Sequence, residues 1–487
     1  MDKISLAGRV VIALILMVGF YVLALAVAGG LLYIPYAEYT YGGRLHVKLA
    51  LVCVAGASLI LWSVLPRMDR FTPPGPTATR EAQPKLFELI DEVSTLTGQA
   101  LPTDVYLVMD MNAWVAQRGG VMGFGSHRVM GLGLPLMQLL SVDELKAVLA
   151  HEFGHFHGGD TRLGPFIYKT RGAIGRTIES LVEADAPIIH RPFEWYAAVF
   201  MRITQGISRR QELQADALAA RTVSADALIT GLKKVESGAA AYDSYWSNDV
   251  APLLKAGRLP SLAQGFSRYL GAREVQEVLV DVSQQSMAEG KSDPYDSHPA
   301  LPERVAALAE LGGDPNAESS LDGGAAELLG DIVAVERQVL NFRFGDAVVA
   351  DFEPIEWTDA VLEVYVPSWR RAAAGLPEDV LSWTPLQVSR DEDTYLRIAK
   401  HIATDDVYRP RHERVARGRN GVAAAVAALA VGAGGRVEDR PLDGLRIIHR
   451  ELDFSPWEDI VELSDDDWRA RMQALGIDGV TIRSIVA

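Results

Sequence analysis

Two apolar runs without a single charge open the chain, and everything after them is shorter, mixed and periodic. Val10–Ile34 is about 25 residues long and Leu49–Leu65 about 17, each enough to cross a bilayer as a helix, the second only just. The segment Pro35–Lys48 joins them, so the pattern predicts a transmembrane helical hairpin. Ala24, Ala26 and Ala28 carry the small-residue spacing of a cleaved signal peptide, but the run stays apolar beyond them and a second run follows closely. Phe71-Thr72-Pro73-Pro74-Gly75-Pro76 then reads as a stiff, exposed linker. Beyond it, Asp104–Met109 and His127–Leu132 read as strands. Ser141-Val142-Asp143-Glu144 reads as a capping box that starts a helix whose Leu145, Val148 and Leu149 recur at helical spacing. Gly158–Ile207 is helical in pattern; its most apolar part, Phe193–Ile207, contains Glu194 and Arg202, and Pro187 and Pro192 are expected to break the preceding run. It therefore predicts a non-spanning helical hairpin that shields a cleft or touches the membrane surface. The Ala- and Leu-rich stretch Ser208–Ala220 lacks Gly and Pro and should be helical.

The helix capped by Ser141 carries His151-Glu152-Phe153-Gly154-His155, which reads H-E-x-x-H. Four residues make one turn, so His151 and His155 point to the same side and can present two imidazole nitrogens to one ion. Glu152 lies beside the first ligand without being one, which suits a general base for a metal-bound water. The chain has only ten histidines, yet His151, His155 and His157 fall within seven residues. A catalytic zinc takes a third protein ligand. Glu212 and Asp216, one turn apart on the next helical stretch, are candidates: Glu212 for the metal, and Asp216 for the free ring nitrogen of a ligand histidine, where it would fix the tautomer. Two acids on a solvated helix face would show the same spacing.

With these residues placed, the chain resembles the M48 family of zinc metallopeptidases, which includes the HtpX-type membrane proteases and the CAAX prenyl proteases. H-E-F-G-H is followed by S-R-x-x-E-x-x-A-D-x-x-A at Ser208–Ala219. Met111-Asn112-Ala113-Trp114 is similar to the family's N-A-F-A segment, Asp143–Ala150 to the lead-in of its metal helix, and Asp296-Ser297-His298-Pro299 with Arg304 to its late S/T-H-P…R element. The likeness covers roughly residues 80–312. It implies a zinc endopeptidase of the gluzincin type with Glu212 as third ligand. It also implies that His298 faces the active site, where an imidazole can donate to the oxyanion of a tetrahedral intermediate; a helix cap near Pro302 is the plainer role for that residue. Arg304 could orient the site or pair with a surface acid. Gluzincins hold the peptide as an added strand, and the Gly-rich segment Asn112–Met130 lies where such a sheet edge belongs.

The remaining properties narrow the partners. The net charge of −16 disfavours nucleic acid. The single cysteine, Cys53, excludes an intramolecular disulfide and a cysteine-rich zinc site. Lys3, Arg9, Arg67, Arg70 and Arg80 flank the apolar hairpin on its open side against Arg44 and Lys48 in its loop, which places both ends and the protease domain in the cytoplasm. Residues 320–487 carry no motif. Ala325–Leu340 reads as helix, Ala360–Val366 and Arg446–His449 as strands, Gly421–Gly435 as a buried helix, and five tryptophans mark a folded domain.

The expected architecture is α+β: a transmembrane helical hairpin (1–70), a Pro-rich linker (71–80), a mainly helical gluzincin-type domain with a small sheet (81–315), and a C-terminal mixed domain (316–487). The expected function is a membrane-anchored zinc endopeptidase with one Zn2+ per chain, acting on misfolded or membrane-associated polypeptides in the cell membrane. Its zinc is held by His151, His155 and Glu212, with Glu152 and His298 catalytic and Asp216 behind the ligands. A processing protease dedicated to one partner and a proteolytically silent zinc scaffold are the alternatives; the intact Glu152 speaks against the scaffold.

Overall fold

The computed structural model describes residues 6–65, 71–119, 125–156, 164–184, 187–290, 299–318, 324–403 and 409–486. His157 and His298 lie outside them. The chain divides into two compact units, Met1–Ala239 with Val278–Gly345, and Ala240–Glu277 with Asp346–Ala487.

In the first unit the two apolar runs form α1 (Leu6–Gly42) and α2 (Val47–Val64). Both are long and apolar enough to cross a membrane. α1 continues past the uncharged run through Pro35, which falls in its last two turns. A short strand β1 (Thr77–Ala78) follows, then α3 (Pro84–Thr97), closed by Gly98 in the left-handed conformation that glycine adopts without penalty. The strands β2 (Asp104–Val108), β3 (Ala113–Arg118) and β4 (His127–Gly133) join β1 in a sheet of order β1-β2-β4-β3. β4 is central, parallel to β2 and antiparallel to β3, so β3 is an edge strand among the described residues. Both strand expectations thus hold within a residue at each end. The α+β layout holds as well.

After the short α4 (Leu134–Leu139) comes α5 (Val142–Gly154), which starts where the sequence places it. Ser141 Oγ accepts from the Glu144 amide at 3.2 Å, and the Ser141 amide donates to Glu144 Oε2 at 2.8 Å, the reciprocal geometry of a capping box.

α6 (Gly164–Glu183) and α7 (Pro187–Ala219) do form a helical hairpin, but Pro192 sits inside α7 rather than ending it. Five residues from the helix start, its missing amide and ring clash cost only one bond in the first turns. The hairpin packs on the apolar helices themselves. Ala173, Ile174 and Leu181 of α6 and Phe193 and Phe200 of α7 share a core with Met17, Phe20, Ala24, Ala28, Ala57 and Ile60. Tyr196 Oη donates to the Leu16 carbonyl at 2.5 Å, and Ser63 and Thr177 hydroxyls meet at 3.0 Å. α7 then runs on through one π-helical turn, Ala220–Ser224, into α8 (Ala225–Tyr245).

The second unit has its core around the helix Arg411–Gly432, whose Gly421–Ala430 stretch is buried, as the alanine-rich run predicts. Trp369, Ile398, Phe454 and Trp468 pack about it. Arg446–His449 lies in a three-stranded antiparallel sheet formed by Arg436–Arg440, Gly444–His449 and Leu452–Phe454. The expected strand Ala360–Val366 is helical instead: a π turn, Val361–Tyr365, leads into the helix Val366–Ala374. Ala360 and Val364 are buried one turn apart while Leu362, which a strand would place beside them, is 68% exposed. Tertiary burial overrides the β-branched composition.

Candidate metal and catalytic site

α5 brings His151 and His155 to its C-terminal end, His155 being the capping residue itself. Their rings meet edge to face with centroids 4.8 Å apart. α7 lies against this end and carries Glu212 and Asp216 on the facing side. The approach is close because residue 154 has no side chain: a Cβ on Gly154 would stand 2.8 Å from Ala215 Cα and 2.9 Å from its Cβ. Glu212 therefore reaches both imidazoles, with Oε2 3.4 Å from His151 Nε2 and Oε1 3.6 Å from His155 Nε2. One ligand atom from each of the three residues lies within 4.8 Å of the other two. Two imidazole nitrogens and one carboxylate converging from two packed helices form a donor set that fits zinc, which favours three such protein ligands and an open fourth position in catalytic sites.

Asp216 is 1% exposed, and its Oδ1 stands 2.8 Å from His151 Nδ1. Arg304, on the helix Leu301–Ala309, grips the same carboxylate from behind: Nε donates to Oδ2 at 2.8 Å and Nη2 to Oδ1 at 2.6 Å. Burial alone would raise the Asp216 pKa, but the hydrogen bonds from Arg304 and His151 hold it below the ordinary value. Burial likewise works against a charge on His151, yet Asp216 and Glu212 hold its pKa above the ordinary value. A metal entering here displaces that proton. Of the two roles open to Arg304 in the sequence, the structure places it on Asp216 and not on a surface acid.

Glu152 lies on the same helix as the two histidines, where the Val115 amide of β3 donates to its carboxylate. Burial raises its pKa, the effect that keeps a carboxyl ready to hold a proton, while His151 and the Val115 amide oppose the rise. The sheet edge and the H-E-x-x-H helix are thus in direct contact.

Sequence reading did not single out Gly154, Val115 or Lys234. Lys234 of α8 donates to Glu144 Oε2 at 2.8 Å with both side chains buried, so the helix that continues from Glu212 is tied to the first turn of the helix that carries the histidines. The glycine is visible in the sequence, but its partner Ala215 lies 61 residues further on, and a lysine at helical spacing on a long helix looks like any solvated position.

The family model of peptidase family M48 matches residues 80–311, which contain every one of these side chains. This segment belongs to peptidase family M48. The chain is similar to a protease HtpX homolog of Gemmatimonas aurantiaca, 26% identical over 55% of this chain and 91% of the relative. It is also similar to a protease HtpX homolog of Tropheryma whipplei, 26% identical over 48% and 75%, and to the protease HtpX of Hahella chejuensis, 23% identical over 46% and 71%. No solved structure matches the chain. The M48 segment thus follows two helices long and apolar enough to cross a membrane.

Proposed function

We propose that this M48 protein is a zinc-dependent endopeptidase anchored by α1 and α2, with its peptidase domain in the cytoplasm. The convergence of His151, His155 and Glu212 beside Glu152 carries this reading. Zinc held by those three residues would supply Lewis acidity, polarising a scissile carbonyl and lowering the pKa of a water toward about 7. Glu152 takes a proton from the attacking water and delivers it to the departing amine nitrogen. Asp216 fixes the His151 tautomer so that Nε2 faces the metal, and Arg304 keeps Asp216 charged. The polypeptide pairs along the β3 edge, which sets its carbonyl beside Glu152. His298 donates to the oxyanion, and its loss lowers kcat by about 10²–10³-fold. Misfolded or membrane-associated polypeptides are the substrate class, a reading supported by the likeness to HtpX proteins.

Glu212→Ala tests the ligand set. The variant should retain the fold and lose its zinc; full zinc occupancy would move the third ligand elsewhere. Cleavage of an unfolded casein-like protein, compared with that of folded membrane proteins, tests the substrate class: preference for one folded partner would identify a dedicated processing enzyme instead.

A further inference from the structure

The hairpin α6–α7 stands alongside the apolar helices at membrane depth, yet its outer face is charged. Tyr196 reaches Leu16, Phe193 packs on Phe20 with ring centroids 6.4 Å apart, and a Cβ on Gly56 would stand 3.3 Å from Leu31 and 3.5 Å from Ile189. These contacts climb α1 from residue 16 to residue 31, well inside its uncharged run, while α7 descends from residue 196 to residue 189. The far faces of α1 and α2 expose Ile15, Val18, Val22, Leu25, Leu51 and Val52, as a lipid-facing surface does. The far face of the hairpin exposes Glu179 on α6 and Arg191, Glu194, Trp195 and Ala198 on α7. Glu194 has His190 at 3.5 Å on its own helix. Glu179 and Arg191 have no ion partner among the described residues. A charged side chain is costly at a bilayer centre and is found facing protein or water, not lipid.

We propose that this face is covered by the same face of a second copy of the chain, making a dimer within the membrane. The proposal rests on the membrane anchoring put forward above. The charges are self-complementary at matched depth. A two-fold axis along the bilayer normal keeps every residue at its own depth, so reciprocal pairs need opposite charges at equal heights. Glu179 lies four residues before the end of α6 at Glu183 and Arg191 four residues after the start of α7 at Pro187, so α6 of one copy can pair with α7 of the other, twice over. Gly172 and Gly175 are exposed on α6, and nothing lies within 4 Å of a Cβ built on Gly175, so the helices can approach closely.

The test uses the full-length protein in native membranes. Cys53 is replaced by alanine, and single cysteines are placed at Ala198 on the hairpin face and at Val18 on the lipid face. A short bismaleimide should cross-link Ala198→Cys into a homodimer and leave Val18→Cys monomeric. Glu179→Arg and Arg191→Glu should each reduce the dimer several-fold, and the double reversal should restore it. A monomer at Ala198→Cys, or a cross-link only to a different protein, overturns the proposal while Val18→Cys stays shielded from a membrane-impermeant maleimide. If Val18→Cys reacts with that reagent in intact cells, the membrane anchoring itself fails, and the dimer proposal with it.

Discussion

Asp216 Oδ1 lies 2.8 Å from Nδ1 of His151, buried together with it. The contact sets which ring nitrogen faces Glu212, and Arg304 holds the carboxylate in place from the other side. Asp216→Asn keeps the shape and removes the charge. It should weaken zinc binding by about 10–100-fold, as measured by competition with a chelating dye. Arg304→Leu leaves Asp216 buried without its cation and should lower both zinc affinity and thermal stability; unchanged values in both would remove Arg304 from the site.

Glu144 and Lys234 form a second buried link, between α5 and α8, into which the ligand helix α7 continues. Removing one partner of a buried ion pair commonly costs about 3–5 kcal/mol, whereas replacing both with apolar or neutral groups costs far less. Lys234→Met should therefore destabilise the first unit by about 3 kcal/mol, and Glu144→Gln with Lys234→Met should recover more than half of that in denaturant unfolding.

Gly154 tests how closely α5 and α7 must approach. Gly154→Ala puts a methyl group against the backbone of Ala215 and pushes the helices apart at the level of the ligands. Overpacking of this kind costs about 1–3 kcal/mol, and the variant should also bind zinc more weakly. Normal zinc affinity with lowered stability would separate packing from ligand placement.

The second unit contains a buried acid with a strongly shifted pKa. Burial and the nearby Asp439 raise Asp249 from 3.8 to about 7, with Arg268 opposing. Arg268 is itself 3.1 Å from Asp439. The folded form keeps the Asp249 proton to higher pH than the unfolded chain does. Stability from this group is therefore full below about pH 4 and is lost as pH rises through 7. Asp249→Asn should be more stable than wild type at pH 8, by at most about 4 kcal/mol, and equal to it near pH 4. Hydrogen exchange in the strand Arg436–Arg440, compared between the two proteins at each pH, reads this difference.

What the sequence disclosed was local. The capping box at Ser141, the spacing of His151 and His155, and the helix through Glu212 all depend on neighbours within a turn or two, and each is found where the pattern places it. The long apolar runs are equally plain, because length and absence of charge suffice. What depends on distant partners was not legible. Gly154 looks like a flaw in a helix until Ala215 arrives beside it, and Arg304 has two plausible partners until the helix Leu301–Ala309 is placed behind Asp216. Pro192 reads as a helix end, yet packing of Phe193 and Tyr196 on α1 holds α7 together across it. Ala360–Val366 has a strand's composition and a helix's burial.

Glu152 adjoins the ligand set and takes no part in it. The decisive measurement is zinc content and cleavage of an unfolded protein substrate by Glu152→Gln beside wild type, purified identically. About one zinc per chain is expected in both proteins, with cleavage only by wild type. Loss of zinc from the variant, or cleavage at the wild-type rate, would contradict it.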